Sequence, residues 1–318
     1  MNSLNTPSKK SLSVIVPCFN EREVIEETHN RLSNSLNNYL NDYEIIYVND
    51  GSSDDTLSIL KRICALSKKA SYISFSRNFG HQIAITAGID EATKDAALVI
   101  DADLQDPPEI IHEMYKLWIN GADVVYGVRT KREGETWVKL LLAKYFYKFL
   151  RNITDIYIPV DTGDFRLIDR KVIEVFKSMP ERHRYVRGMI SWAGFVQVPV
   201  YYERKERYAG KTKYPFSKML KFALDGIISF STKPLKLALI SGIFFSFLSL
   251  SGIVYSLYMR LFTDQWVPGW TLLFIAILLI GGIQLIILGI IGEYIGRIYG
   301  ESKNRPLYII MEKNNINN

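Results

Sequence analysis

Between Val99 and Glu109 the chain reads VIDADLQDPPE, which sets Asp101, Asp103 and Asp106 within six residues and Gln105 among them. Carboxylates that close destabilise one another unless a cation stands between them. Oxygen ligands with no His or Cys nearby suit a hard divalent ion, Mg²⁺ or Mn²⁺, that keeps open positions for phosphate oxygens. Asp101, Asp103 and Gln105 are therefore the candidate metal residues, against the plainer alternative of a capped turn. Two more polar clusters could serve the same ligand. In VNDGSSDD, Asp50 could accept from an imide-like N–H, and in PCFNE, Asn20 and Glu21 could hold a neighbouring sugar or base. No G-x-G-x-x-G follows the first apolar run and no G-x-x-x-x-G-K-[ST] occurs, so the dinucleotide and P-loop readings lack their phosphate-binding backbone.

The surrounding pattern explains how these clusters meet. Leu12 to Pro17, Tyr43 to Val48, Tyr72 to Phe75, Ala96 to Ile100 and Asp123 to Val128 are short β-rich runs. Between them Val24, Ile25, Thr28, Leu32, Leu36 and Leu40 recur at helical spacing. Asn20, three residues before Glu23, has the arrangement of a capping box, and Asp54 is placed to cap the next helix. Residues 81 to 93 and 110 to 119 complete the alternation. Strands separated by helices predict a mainly parallel sheet, whose ligands bind outside the carboxyl ends of the strands. All three polar clusters fall there. Arg129, after DVVYGV, and Arg187, in YVRG, are further phosphate-ligand candidates, with a surface salt bridge as the alternative.

The 318 residues carry 39 Lys+Arg against 33 Asp+Glu, a net +6, and 48% are hydrophobic, which excludes disorder and a disulfide-stapled miniature. The apolar residues are uneven. Leu235 to Tyr258 has one charge, Lys236, and Trp270 to Ile291 has none, so each run is long enough to span a bilayer as a helix. Lys213, Lys218, Lys221, Lys233 and Lys236 precede the pair and Arg297, Lys303 and Arg305 follow it, whereas the connector holds Arg260 and Asp264. The runs predict an integral protein of the plasma or inner membrane, and the positive-inside rule puts both termini and the long first part of the chain in the cytoplasm. MNSLNTPSKK has no apolar signal core, and Cys18 and Cys64 fit reduced thiols. Ser217 to Phe230 reads as an interfacial helix. From Tyr201 to Lys221 seven basic residues face two acidic ones, a charge beside the first span that suits either an anionic leaflet or recognition of a phosphate.

The ordered series SVIVPCFNE, YVNDGSSDDT, SRNFGHQ, DADLQDPPE, TGDFRLIDRKV and ERYAGKTKY resembles the motifs of family 2 glycosyltransferases with a GT-A fold. It is most similar to the polyprenyl-phosphate glycosyltransferases, the dolichol-phosphate mannose synthases and bactoprenol glucosyltransferases, from about Ser11 to Arg305. The resemblance implies an α/β, Rossmann-like GT-A domain over residues 1–215 and a juxtamembrane amphipathic helix at 216–233. Two transmembrane helices within 234–295 (about 235–258 and 270–292) and a cytoplasmic tail at 296–318 complete the expected organisation. It implies that Pro17, Asn20, Glu21 and Asp50 hold the nucleoside of a nucleotide sugar, while Asp101, Asp103 and Gln105 gather around metal and diphosphate. Asp161 to Arg166 would approach sugar and acceptor, and the basic stretch with Arg204, Arg207, Lys211 and Lys213 would close over the phosphates. Mannose synthases commonly carry a small or apolar residue in the place of Asp164, so the resemblance favours glucose from UDP-glucose over a mannosyl or amino-sugar donor.

The expected reaction is an inverting displacement in which a polyprenyl (undecaprenyl) phosphate oxygen attacks the anomeric carbon as the nucleoside diphosphate leaves. A phosphate monoester is already ionised near neutral pH, so no strong base is needed. Asp164 or Asp161 would orient the acceptor or stabilise oxocarbenium character, with a loop cap as the alternative for Asp161. Rival readings are a membrane-tethered nucleotide-sugar sensor, against which Asp101, Asp103, Gln105 and Arg207 stand, and a processive polysaccharide synthase, whose Gln-x-x-Arg-Trp is absent. No nucleic-acid partner is expected, because the basic stretch abuts a span and lacks regular aromatic stacking positions. Gly281, Gly282 and Gly289 allow close helix contact and a homo-oligomer.

Overall fold

Runs such as LSVIVPC, apolar at nearly every position, suit strands that helices cover on both faces. The computed structural model describes residues 10–130, 162–203, 233–262 and 269–314 and places these runs in the middle of one sheet. In chain order the first unit contains β1 (Leu12–Cys18), α1 (Ile25–Asn37), β2 (Tyr43–Asn49), α2 (Thr56–Leu66), β3 (Ala70–Phe75), α3 (His81–Glu91) and β4 (Ala96–Val99). It continues with α4 (Ile111–Ile119), β5 (Val124–Arg129), β6 (Thr162–Asp169), α5 (Arg170–Ser178), α6 (Val186–Trp192) and β7 (Gln197–Tyr202). A second unit holds α7 (Lys233–Phe262) and α8 (Trp270–Ser302), and β8 (Ile310–Asn314) returns to the first.

The strand order is β7-β5-β6-β4-β1-β2-β3-β8, the mainly parallel α/β arrangement expected. β1 pairs in parallel with both β2 and β4, so the topological switch lies between the carboxyl ends of β1 and β4. Leu12, Val14 and Val16 of β1 share a core with Ile25, Leu32 and Leu36 of α1. On the opposite face Ile15 meets α3, where a Cβ on Gly88 would lie 2.2 Å from its Cγ2. All six residues of the helical stripe read from the sequence, Val24 to Leu40, are buried.

β6 is antiparallel to β4, with Ala96 opposite Asp169 and Val99 opposite Arg166. Its amino end therefore lies at the edge where β4 delivers its carboxyl end. Extended two residues past the ladder, the same register sets Asp101 against Asp164.

The capping box does not form. α1 begins at Ile25, and Asn20 sits at φ 55° with its side chain turned to Ser53 instead of the helix. Asp54 does cap: its Oδ1 accepts from the Thr56 N–H at 3.0 Å. Residues 296–318, read from the sequence as a tail, contain the last turns of α8 and strand β8, which pairs antiparallel with β3 from Phe75 to Tyr72. That pairing covers the backbone groups that an exposed edge strand would leave unsatisfied. The helix expected at 216–233 lies outside the described residues except for Lys233, which opens α7.

α7 and α8 are long and apolar enough to cross a membrane, with mean hydropathies of 2.2 and 1.8 over their most apolar windows. Leu239, Phe244 and Phe247 of α7 and Leu285, Ile286 and Leu288 of α8 are each more than half exposed. A helix in the core of a water-soluble domain would hide such side chains.

Candidate active site

The loops after β1 and β2 are sewn together by backbone and short polar side chains. The Asn20 N–H donates to Ser52 Oγ at 2.9 Å, Asn20 Oδ1 accepts from the Ser53 N–H at 2.8 Å, and the Glu21 N–H donates to Thr56 Oγ1 at 2.8 Å. Pro17 is buried inside β1, opposite Val48. Asp50, read from the sequence as a nucleoside ligand, also has a task within the fold. Its carboxylate is buried and accepts from the Phe79 N–H at 2.6 Å and the Gly80 N–H at 2.9 Å, so it fixes the turn that leads into α3. Burial raises its pKa while those N–H groups oppose the rise. Gly51 closes this contact: φ is +64°, and a Cβ there would lie 2.3 Å from the Arg77 carbonyl carbon.

The acidic loop follows β4. Buried Leu104 takes a left-handed φ of 58°, and the Gln105 N–H donates to Asp103 Oδ1 at 3.1 Å. Thr28 of α1 ties the loop down by donating to the Ala102 carbonyl at 2.7 Å. Asp106 turns its carboxylate to partners of its own. It accepts from the Tyr202 hydroxyl and lies 3.8 Å from Arg129 Nη2, and Arg129 Nε donates to that hydroxyl at 3.3 Å. Arg129 thus braces the acidic loop against β7, and Gly163 makes room for it: a Cβ there would sit 2.5 Å from Arg129 Nη2.

Asp164, at the start of β6, is the hub. Its Oδ2 accepts from Gln82 Nε2 at 2.8 Å and lies 3.3 Å from His81 Nε2, and its Oδ1 lies 3.3 Å from Arg187 Nε. Burial alone would raise its pKa, but Arg187, His81 and Arg166 hold it well below the usual carboxylate range. Such a group is a poor proton acceptor and a good orienter. Arg187 also donates from Nη1 to the Thr162 carbonyl at 2.6 Å. Behind Asp164, the nearly inaccessible Arg166 donates to the Gly163 carbonyl at 3.1 Å, and burial lowers its pKa to about 10.

His81 and Gln82 open α3, and the sequence reading does not single them out as site residues. His81 Nε2 bridges the two carboxyl groups, 3.5 Å from Asp101 Oδ1 and 3.3 Å from Asp164 Oδ2. Desolvation opposes its charge, but those carboxylates prevail and push its pKa to about 9. Asp101 Oδ1 is buried and accepts no hydrogen bond from the described residues. Burial, then the carboxylates of Asp106, Asp103 and Asp164, raise the Asp101 pKa against the pull of His81. A local excess of hard oxygen ligands with one unsatisfied lone-pair site fits a divalent cation. Among the described residues no three His, Cys, Asp or Glu side chains converge closely enough to hold an ion alone. Mg²⁺ and Mn²⁺ need only one or two carboxylates and complete their shell with water and phosphate oxygens.

The structure therefore brings together Asp101, Asp164 and Arg187, with Asp103 and Gln105 on the loop that carries Asp101. It places Asn20 and Glu21 in the adjoining loop. Asp161, Arg204, Arg207, Lys211 and Lys213 lie outside the described residues.

The profile of glycosyl transferase family 2 matches residues 13–176, which include Asp50, Asp101, Asp103 and Asp164. The chain is 53% identical to the uncharacterized glycosyltransferase YkcC of Bacillus subtilis (strain 168), covering 96% of this chain and 95% of the relative. It is 46% identical to the uncharacterized glycosyltransferase sll0501 of Synechocystis sp., covering 95% of each. It is 40% identical to the bactoprenol glucosyl transferase of Shigella phage SfV, covering 94% of this chain and 97% of the relative. The chain belongs to glycosyl transferase family 2 and is a GT-A glycosyltransferase.

Proposed function

We propose that the enzyme moves a hexose, glucose from UDP-glucose, onto a polyprenyl phosphate such as undecaprenyl phosphate at a membrane surface. The observation that carries this reading is the likeness to a bactoprenol glucosyl transferase, which runs through the acidic edge and both long apolar helices. One polypeptide thus joins a site for a water-soluble donor to helices suited to the lipid that holds the acceptor.

Asp101, Asp103 and Gln105 would hold Mg²⁺ or Mn²⁺, whose contribution there is neutralising the charge on the departing diphosphate. Asn20 and Glu21 border the same edge and bind the nucleoside. Asp50 acts behind them by fixing the turn into α3. Asp164, with its depressed pKa, orients His81 and Gln82 toward the reacting sugar. The ionised acceptor phosphate needs no base, and Arg187, Arg207 and Lys213 offset its charge. The catalytic domain, residues 1–215, and both termini are cytoplasmic in this reading. β8 supports it, because the segment that follows the second apolar helix returns to the sheet of the first unit.

The test is transfer of labelled sugar from UDP-glucose to undecaprenyl phosphate by the detergent-purified protein, with Mg²⁺, with Mn²⁺ and with chelator. Lipid-linked label that disappears with chelator and in Asp103→Asn supports the reading. Label with a different donor corrects the sugar, and no label across a donor panel overturns the lipid-transfer assignment.

A further inference from the structure

We propose that Tyr308, on the segment leading into β8, is a positioning residue for glycosyl transfer. It fixes the stretch Phe75 to Glu91, which presents His81 and Gln82 to Asp164. The inference rests on reading that edge as the transfer site.

The geometry is a short relay of contacts. The Tyr308 ring stacks on Phe75 at 5.0 Å between centroids with 22° between planes. Phe75 in turn meets Phe79 edge-on at 5.6 Å. The Phe79 and Gly80 N–H groups are the ones Asp50 holds, and His81 follows at once. Backbone pairing reaches one residue beyond the strand, where the Ser76 N–H donates to the Ile309 carbonyl at 3.0 Å. The far end of the same stretch is clamped as well. The Tyr308 hydroxyl donates to Asp90 Oδ2 at 3.1 Å, and Lys313 Nζ lies 3.1 Å from Glu91 Oε1. Tyr308 therefore grips both the strand before the site turn and the last residues of α3. The ring stack is the grip next to His81 and Gln82, which open that helix, and the hydroxyl secures its far end. A second ion pair of the segment, Lys61 with Glu312 at 2.7 Å, goes to α2 and touches neither grip.

Small displacements of a positioned group cost turnover far more than donor affinity when the donor is held elsewhere, here by the loops after β1 and β4. In the full-length detergent-purified enzyme, Tyr308→Ala is expected to lower kcat at least about tenfold with donor KM within about twofold. Tyr308→Phe keeps the stack and retains kcat within about threefold, and Glu312→Gln retains wild-type kcat. Amide exchange followed by mass spectrometry, which needs no donor, is the second reading. Peptides covering 76–84 should exchange at least about tenfold faster in Tyr308→Ala while peptides of β1 and β4 stay unchanged. If Tyr308→Ala does not purify folded, Tyr308→Leu takes its place with the same expectations. A kcat within twofold of wild type, equal loss in the Phe and Ala variants, or uniform faster exchange across the sheet overturns the proposal. Absence of transfer by the wild type would instead count against the function, and the exchange arm would still decide the positioning claim.

Discussion

Replacing Asp164 by Asn tests whether this carboxylate holds the site together. The substitution keeps an oxygen for Gln82 but removes the charge opposite Arg187 and His81. Breaking a buried ion pair costs about 3–5 kcal/mol, because the remaining charge is left uncompensated. Asp164 is 13% and Arg187 19% exposed, and the Gln82 bond survives, so roughly 2–3 kcal/mol is the reasonable figure. At about 2–4 °C per kcal/mol for a unit of this size, the midpoint of thermal unfolding falls by roughly 4–12 °C. Turnover falls about 100-fold, because His81 and Gln82 lose their alignment. The assay is a double-mutant cycle with Arg187→Gln, followed by thermal unfolding in detergent without added metal. A coupling energy of about 1–3 kcal/mol is expected, and additivity within about 0.5 kcal/mol would refute the hub.

The pH dependence gives a second check, on the pair that Asp164 forms with His81. A depressed carboxylate contributes stability that is complete above its unfolded pKa, near 3.9 for Asp, and fades as pH falls below it toward the folded value. His81, pushed up to about 9, contributes fully below its unfolded value near 6.5 and loses that contribution as pH rises through 9. The stability gap between wild type and Asp164→Asn is therefore widest between about pH 4 and 6.5 and narrows on both sides. A gap that grows steadily toward alkaline pH would contradict the assignment of His81 as Asp164's partner.

Asp103→Asn should abolish the Mn²⁺-dependent component of UDP binding, measured by calorimetry with and without metal; unchanged metal dependence would remove Asp103 from the metal set. Gly88→Ala forces a methyl to within 2.2 Å of Ile15 Cγ2, so it should cost about 1–3 kcal/mol by thermal unfolding, and Ile15→Val should recover part of that loss. Cys18 and Cys64 are both buried, and burial pushes the Cys64 thiol up to about 12. A thiol reagent at pH 8 should label neither until denaturant is added, and rapid labelling of the native enzyme would show that the core around α2 opens.

Strands buried on both faces announce themselves, which is why β1 to β5 and the stripe on α1 are legible in the sequence. Capping is harder to read. Asn20 and Glu23 have the spacing of a capping box, yet a tertiary bond to Ser53 claims the Asn20 side chain and holds it at positive φ. β8 is illegible for another reason. IMEKN has no strand pattern of its own, and the free edge of β3 makes it a strand. His81 and Gln82 have neither spacing nor composition to mark them, and only their place in SRNFGHQ points to them. Asp50 is legible as important, but its partners are backbone N–H groups 29 and 30 residues away that no local pattern reveals.

Asp164 shows most directly what a parallel sheet gains from one reversed strand. Were β6 parallel to β4, its amino end and Asp164 would lie at the edge remote from the acidic loop, and Asp101 would face only the loops that follow its neighbours. Because β6 runs the other way, its first residues arrive at the carboxyl edge in register with the residues just beyond β4. TGDFRLID carries charge at Asp164, Arg166 and Asp169, a composition that disguises a buried strand. The charges persist because the edge uses them: Arg166 sits behind Asp164, and Asp169 accepts from the Lys171 N–H to start α5. The register is what makes the arrangement strict. A one-residue slip of β6 against β4 would send Asp164 to the opposite face of the sheet, away from His81 and Arg187. Arg166, paired across from Val99, is then as much a register pin as an electrostatic neighbour. Replacing it with Met should loosen the β4–β6 ladder, with faster amide exchange at Leu98 and Leu167, before it alters the acidic loop. Faster exchange confined to residues 101–106 would show that the charge of Arg166 matters and its place in the ladder does not.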